Sequence, residues 1–171
     1  MSADNWPRSL ALLLKSEGGN DDDKADHGGR TSRGVTQREY DAWRKLQGKA
    51  TRDVWTANDD EIASIYHSEY WLPLCDLLPM GIDYLYFDMA VNAGPYKAAI
   101  LLQRALGVTA DGRIGPVTRE AIKSANPKTL ISAFSNAKAD FYRSLHQPKF
   151  IKGWLNRVAE VQSNATKMVT T

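Results

Sequence analysis

Five carboxylates stand within ten residues of the chain: Glu17, Asp21, Asp22, Asp23 and Asp26. Glu17 is set apart by periodicity. Trp6, Leu10, Leu13, Leu14 and Glu17 are spaced four, three, one and three residues apart, which puts them on one face of a helix. Glu17 therefore projects from the face that should be buried, at the helix's C-terminal end. A carboxylate there is costly unless it is paired or protonated. Partial burial raises a carboxyl pKa, and the negative end of the helix dipole acts in the same direction. An acid kept protonated near neutral pH is what general-acid cleavage of a glycoside requires. One further carboxylate facing it across a cleft would complete the pair on which glycoside hydrolysis runs. The plainer alternatives are that Glu17 snorkels or pairs with Arg30 or Arg33, and that the acidic cluster is solvated turn chemistry.

Other chemistries find little support. His27, His67 and His146 are scattered, and neither HExxH nor CxxC spacing occurs. The acidic loop is not a calcium loop, because Ala25 takes the third ligand position. A phosphate-binding glycine loop and a serine nucleophile elbow are both lacking. Cys75 is the single cysteine, so it forms no intramolecular disulfide. Its neighbours Trp71, Leu72, Leu74, Leu77 and Leu78 point to a buried, inert thiol. No cofactor and no metal are expected.

The elements that must position Glu17 read as mostly helical. The first helix spans about 6–17 and stops at Gly18-Gly19. Residues 20–35 lack helical period and suggest a loop with a short β-ribbon near 26–36. Thr36 with Glu39, and Asn58 with Glu61, are capping-box signatures opening two further helices. Helices follow over 82–93 and 96–106, then from Pro116 and from Pro127. A last helix carries Phe150, Trp154, Val158 and Val161, with a frayed tail after Asn164. The chain has 171 residues, 43% hydrophobic and 25% charged, with formal net charge +2. That composition suits one soluble domain and excludes strong electrostatic capture of nucleic acid. No apolar run approaches a bilayer span, and the N-terminus lacks the pattern of a signal peptide.

The string SEGGNDDDKADHGGRTSRGVT resembles the signature of the glycoside hydrolase family 108 muramidases. The matching positions are Glu17-Gly18-Gly19, Asp26-His27-Gly28-Gly29-Arg30-Thr31 and Gly34-Val35-Thr36. IYHSEYW (65–71) is similar to the family's Tyr-Trp segment, and residues 87–122 resemble the peptidoglycan-binding module that follows it. The spacer NDDDKA departs from the pattern, being more acidic and lacking the usual Pro, which keeps Asp23 as a rival to Asp26. The resemblance implies a mainly α, lysozyme-like fold with two lobes around a cleft. It also implies hydrolysis of the β-1,4 bond between N-acetylmuramic acid and N-acetylglucosamine, with Glu17 as acid. Phage-type lysozymes are similar in placing an Asp about nine residues on and a Thr about five beyond, which selects Asp26 and Thr31. Thr36 competes with Thr31 for orienting the water, although its capping box gives it a structural task. Tyr40, Asn92, Gly94 and Asp111 are further expected substrate contacts. Asn92 and Gly94 read equally as a helix cap, and Asp111 first as a tight turn.

The expectation is a single lysozyme-like unit, with residues 1–80 as the catalytic lobe and 81–171 as a helical lobe. It is an endolysin or related secreted muramidase acting on bacterial peptidoglycan, as a monomer, without nucleic acid or membrane insertion. Made in the cytoplasm, it reaches the cell wall through a holin or a secretion machine. The alternatives are a lytic transglycosylase acting on the same bond and a non-catalytic wall-binding module.

Overall fold

The computed structural model describes residues 5–21 and 29–169. Asp22 to Gly28, which include Asp23 and Asp26, lie outside the described residues. The chain divides into two compact units. Pro7–Glu69 forms one, and the chain from Tyr70 onward, joined by residues up to Trp6, forms the other.

Among its described residues the smaller unit holds three α-helices, a 3-10 turn at Val54–Thr56 and a small sheet. Helix α1 (Trp6–Ser16) leads into a three-stranded antiparallel sheet of β1 (Asn20–Asp21), β2 (Thr31–Ser32) and β3 (Val35–Thr36), in that order. The ribbon expected near 26–36 is thus a β2–β3 hairpin, with β1 added on its free edge. Asn20 and Asp21 carry no alternating pattern, so nothing local marks them as a strand. Helix α2 (Gln37–Leu46) opens on the Thr36 capping box: the Thr36 hydroxyl accepts from the Glu39 N–H at 3.2 Å, and Glu39 accepts from the Thr36 N–H at 2.8 Å. Helix α3 (Asp59–Tyr66) opens the same way on Asn58 and Glu61. A π-helical turn, His67–Trp71, continues it.

The larger unit is built around α4 (Ile82–Ala93). Residues 82–90 of this helix are all buried, as expected of a helix packed on every side. Around it lie α5 (Pro95–Leu106), α7 (Pro127–Ser144) and α8 (Pro148–Val169), while α6 (Pro116–Ser124) packs on α5. Trp6, Trp71 and Phe87 meet edge to face, with centroids 5.2–5.5 Å apart. The expected fraying after Asn164 is corrected: α8 runs to Val169. Val158, Val161, Ala165 and Met168 form one buried stripe, so the apolar face outlasts the polar residues that suggested an end. Asp88 on α4 is buried and ties three helices together. It accepts from Lys138 Nζ of α7 at 2.6 Å and from Arg157 Nη2 of α8 at 2.9 Å. Cys75 is buried, and burial pushes its thiol pKa well above the ordinary value. No described helix is long and apolar enough to cross a membrane.

Candidate active site

Helix α1 delivers Glu17. The Glu17 N–H donates to the Leu13 carbonyl at 3.3 Å, so the residue sits where the helix ends. It continues the line of Ser9 and Leu13, the two residues that α1 buries, and is itself half-buried. Trp6, Leu10, Leu12 and Leu14 are half-buried too.

The hairpin tip meets the carboxylate. Ser32 pairs with Val35, and the two residues between them, Arg33 and Gly34, have φ of +50° and +83°. This is a two-residue type I′ connection. A Cβ on Gly34 would lie 2.8 Å from Glu17 Oε2 and 2.4 Å from the Tyr66 hydroxyl oxygen. Glycine is therefore demanded twice, by the backbone conformation and by the space. The Glu17 carboxylate sits against bare hairpin backbone, with the Tyr66 hydroxyl as its neighbour.

Arg33 has a Cβ and still occupies the left-handed region, a strain that persists only where the surroundings impose it. Four contacts impose it here. The Arg33 N–H donates to Gly19 O at 3.1 Å, and its carbonyl accepts from the Tyr66 hydroxyl at 2.7 Å. Its guanidinium donates to Ala57 O at 2.5 Å and pairs with Asp59. The turn that supports Glu17 is thereby held from α3 and from the segment that precedes it.

On the sheet, Asp21, Thr31 and Thr36 lie directly opposite one another in register, so their side chains share one face. Ser32 and Val35, on the other face, are buried. The Thr31 hydroxyl has no hydrogen-bond partner among the described residues, whereas that of Thr36 is spent in its capping box. The Trp55 indole N–H donates to Thr31 O at 3.0 Å. Arg30 stacks over Trp55, 4.2 Å from the ring centroid, and pairs with Asp53.

Tyr40, expected as a substrate contact, is fully buried. Its hydroxyl donates to Glu61 Oε2 at 2.8 Å and accepts from Arg52 Nε at 2.8 Å. Arg44 and Arg52 both pair with Glu61, at 2.9 and 2.6 Å. Burial alone would raise the Glu61 pKa. The hydrogen bonds from Tyr40, Asn58 and Arg52 outweigh it and hold the carboxyl below its ordinary range. Tyr40 thus locks α2 to α3 and leaves nothing for a sugar to touch.

The hydrolase model "Glycosyl hydrolase 108" matches residues 10–94. The solved structure of SagA from Brucella abortus is 30% identical and covers 96% of this chain and 95% of its own, with a TM-score of 0.83. The chain belongs to the glycosyl hydrolase 108 family. It is a glycoside hydrolase with a mainly α, lysozyme-like fold. A second model, "Predicted Peptidoglycan domain", matches residues 97–159, so this glycosyl hydrolase acts on peptidoglycan. No curated protein matches by sequence. The first match takes in Glu17, the hairpin and Tyr66; the second begins on α5, later than the 87–122 segment read from sequence.

The remaining expected contacts of this hydrolase lie in the larger unit. Asn92 is exposed and folds its amide back onto Asp88 O at 2.6 Å. Gly94, with φ +88°, ends α4 and begins α5. Asp111 accepts from the Arg113 N–H and from Gln103 Nε2, both at 2.8 Å, which spends one carboxylate oxygen on its own turn. Asp23 and Asp26 fall outside the described residues. Sequence reasoning missed Tyr66 and offered Arg33 only as an ion partner of Glu17, not as a turn residue. An Arg-Gly pair between short β-formers is a hairpin signal, but Tyr66 reads only as one more apolar position on α3.

Proposed function

We propose that the protein hydrolyses the β-1,4 bond between N-acetylmuramic acid and N-acetylglucosamine, with Glu17 as general acid. The carrying observation is the seat of Glu17: a half-buried carboxylate at a helix end, packed beside Gly34 and near the Tyr66 hydroxyl. General-acid chemistry needs a proton held at one position relative to the glycosidic oxygen, and a carboxylate packed against the hairpin backbone suits that need. Asp26 and Thr31 position the water on the opposite face of the sugar, giving inversion. The unpartnered Thr31 hydroxyl favours it over Thr36 for that task. Holin- or secretion-dependent release brings the enzyme to the wall.

The test is digestion of purified sacculi by wild type and by Glu17→Gln, with mass spectra of the soluble fragments. Reducing-end muramic acid from wild type only, at unchanged Tm, is the expected result. Anhydro-muramic ends would replace hydrolysis by transglycosylation. Equal activity of the variant would overturn the assignment of Glu17, and wall binding without fragments from either protein would leave only a binding module.

A further inference from the structure

The turn TADGRIGP (109–116), which contains Asp111, has no task in the site described above. Gln103, on α5 and almost fully buried, holds it with both ends of its amide. Its Nε2 donates to Asp111 Oδ1 at 2.8 Å and to Arg113 O at 2.9 Å, while its Oε1 accepts from the Gly112 N–H at 2.8 Å. This fixes Gly112 against the ring of Tyr96. A Cβ on Gly112 would fall 2.2 Å from Tyr96 Cε2 and 2.5 Å from Cδ2, and φ there is +75°. The turn is therefore built to bring bare backbone onto an aromatic ring. That ring is not core: Tyr96 is 66% exposed. The turn holds one edge of the ring, and most of the side chain stays exposed.

Tyr96 borders a groove of about 430 Å³, walled also by Pro73, Leu77, Ile114 and Arg119. Leu77 is exposed as well, at 59%. The groove thus sets an apolar wall and an aromatic ring beside a guanidinium. Arg119 donates to Ile114 O at 3.3 Å and pairs with no carboxylate among the described residues. Residues 97–123 carry five Lys or Arg against two Asp or Glu, and Asp111 is engaged within the turn.

We propose that this groove is a peptidoglycan-holding subsite, with Tyr96 as the stacking platform for an amino-sugar ring and Arg119 as the partner of a stem-peptide carboxylate. The inference rests on peptidoglycan as the substrate. A pyranose offers a face of C–H groups that packs on an aromatic ring, and a rigid ring loses little entropy on binding. The excess positive charge complements the carboxylates of the peptide stems. The groove would hold the polymer while the bond is cut elsewhere on the chain.

The test is co-sedimentation with purified sacculi in the Glu17→Gln background, which separates binding from cutting. Tyr96→Ala should raise the apparent Kd by about tenfold, and Arg119→Ala by about threefold at low salt, while Tyr96→Phe stays near the parent. In the Glu17→Gln protein itself, a soluble disaccharide-peptide should shift the Gly112 amide resonance. This needs no change at the groove. A Tyr96→Ala affinity within twofold of the parent, or an unmoved Gly112 amide, would overturn the proposal. So would self-association that Tyr96→Ala abolishes with sacculus binding intact, which would give the patch to a second copy. Fragment release by wild type plays no part in these readouts, so the subsite and the Glu17 assignment can fail separately.

Discussion

Replacing Gly34 by Ala tests whether the seat of Glu17 controls the reaction. The backbone cost comes first: a residue with a Cβ in the left-handed region loses roughly 1–2 kcal/mol. For a chain of this length that is about 2–8 °C in Tm. The second cost falls on the site. The new methyl would lie 2.8 Å from Glu17 Oε2 and 2.4 Å from the Tyr66 hydroxyl, while ordinary contact begins near 3.4 Å. The carboxylate must therefore retreat by about 0.6 Å and the hydroxyl by about 1.0 Å, the differences between those distances. Tyr66 yields poorly, because its hydroxyl donates to Arg33 O at 2.7 Å. A misplacement near 1 Å costs on the order of 10²-fold in rate, so the turnover of sacculi should fall by about ten- to a hundredfold. Gly48→Ala is the matched control. It has φ +67° in the same unit, with nothing within 4 Å of the added Cβ. It should lower Tm comparably and leave turnover intact. Initial rates of reducing-end release and thermal melts of both variants decide the matter. Wild-type turnover in Gly34→Ala, or an equal loss in Gly48→Ala, would refute the reasoning.

Two further outcomes follow from buried charge in the larger unit. Asp88→Asn leaves Lys138, which is fully buried, and Arg157 without their anion. Breaking such a set costs about 3–5 kcal/mol, or roughly 6–20 °C in Tm; Asp88→Asn/Lys138→Met should lose less than the single change, and a greater loss would count against the pairing. Asp83 is buried, and burial pushes its pKa up to about 6 despite hydrogen bonds from Tyr84, Asn5 and Gly81. A carboxyl raised on folding contributes stability that is complete below pH ~4 and lost as pH rises through about 6. Wild type should therefore lose on the order of 3 kcal/mol relative to Asp83→Asn between pH 4 and 7. Parallel melting curves across that range would remove Asp83 as the cause.

How much of this was legible beforehand divides by the range of the interactions. Both capping boxes, α1 with Glu17 at its end, and the hairpin all follow from residues a few positions apart, and the structure has them. The buried face of α1 lies one position away from the one its apolar spacing predicts: its fully buried positions are Ser9 and Leu13, and Trp6 belongs to the larger unit, where it packs with Trp71 and Phe87. The end of α8 is not legible locally, because Ala165 and Met168 bury against chain far away in sequence. Met168 accepts from Asn5, and a Cβ on Gly81 would meet the Ala165 carbonyl.

The site divides the same way. Sequence alone determined that Glu17 stands at a helix end on an apolar line, and that a glycine-bearing turn follows it. Only the tertiary structure decided that Gly34 is the surface Glu17 rests on, that Tyr66 stands beside it, and that Arg33 is pinned from 24 to 33 residues away. It also decided that Tyr40 belongs to a buried ion network and that Thr31, not Thr36, keeps its hydroxyl. Helix periodicity, caps and turns are set by backbone geometry over one to four residues and can be read along the chain. Which hydroxyl is spent and which carboxylate is seated depends on groups that meet only after the chain has folded back on itself.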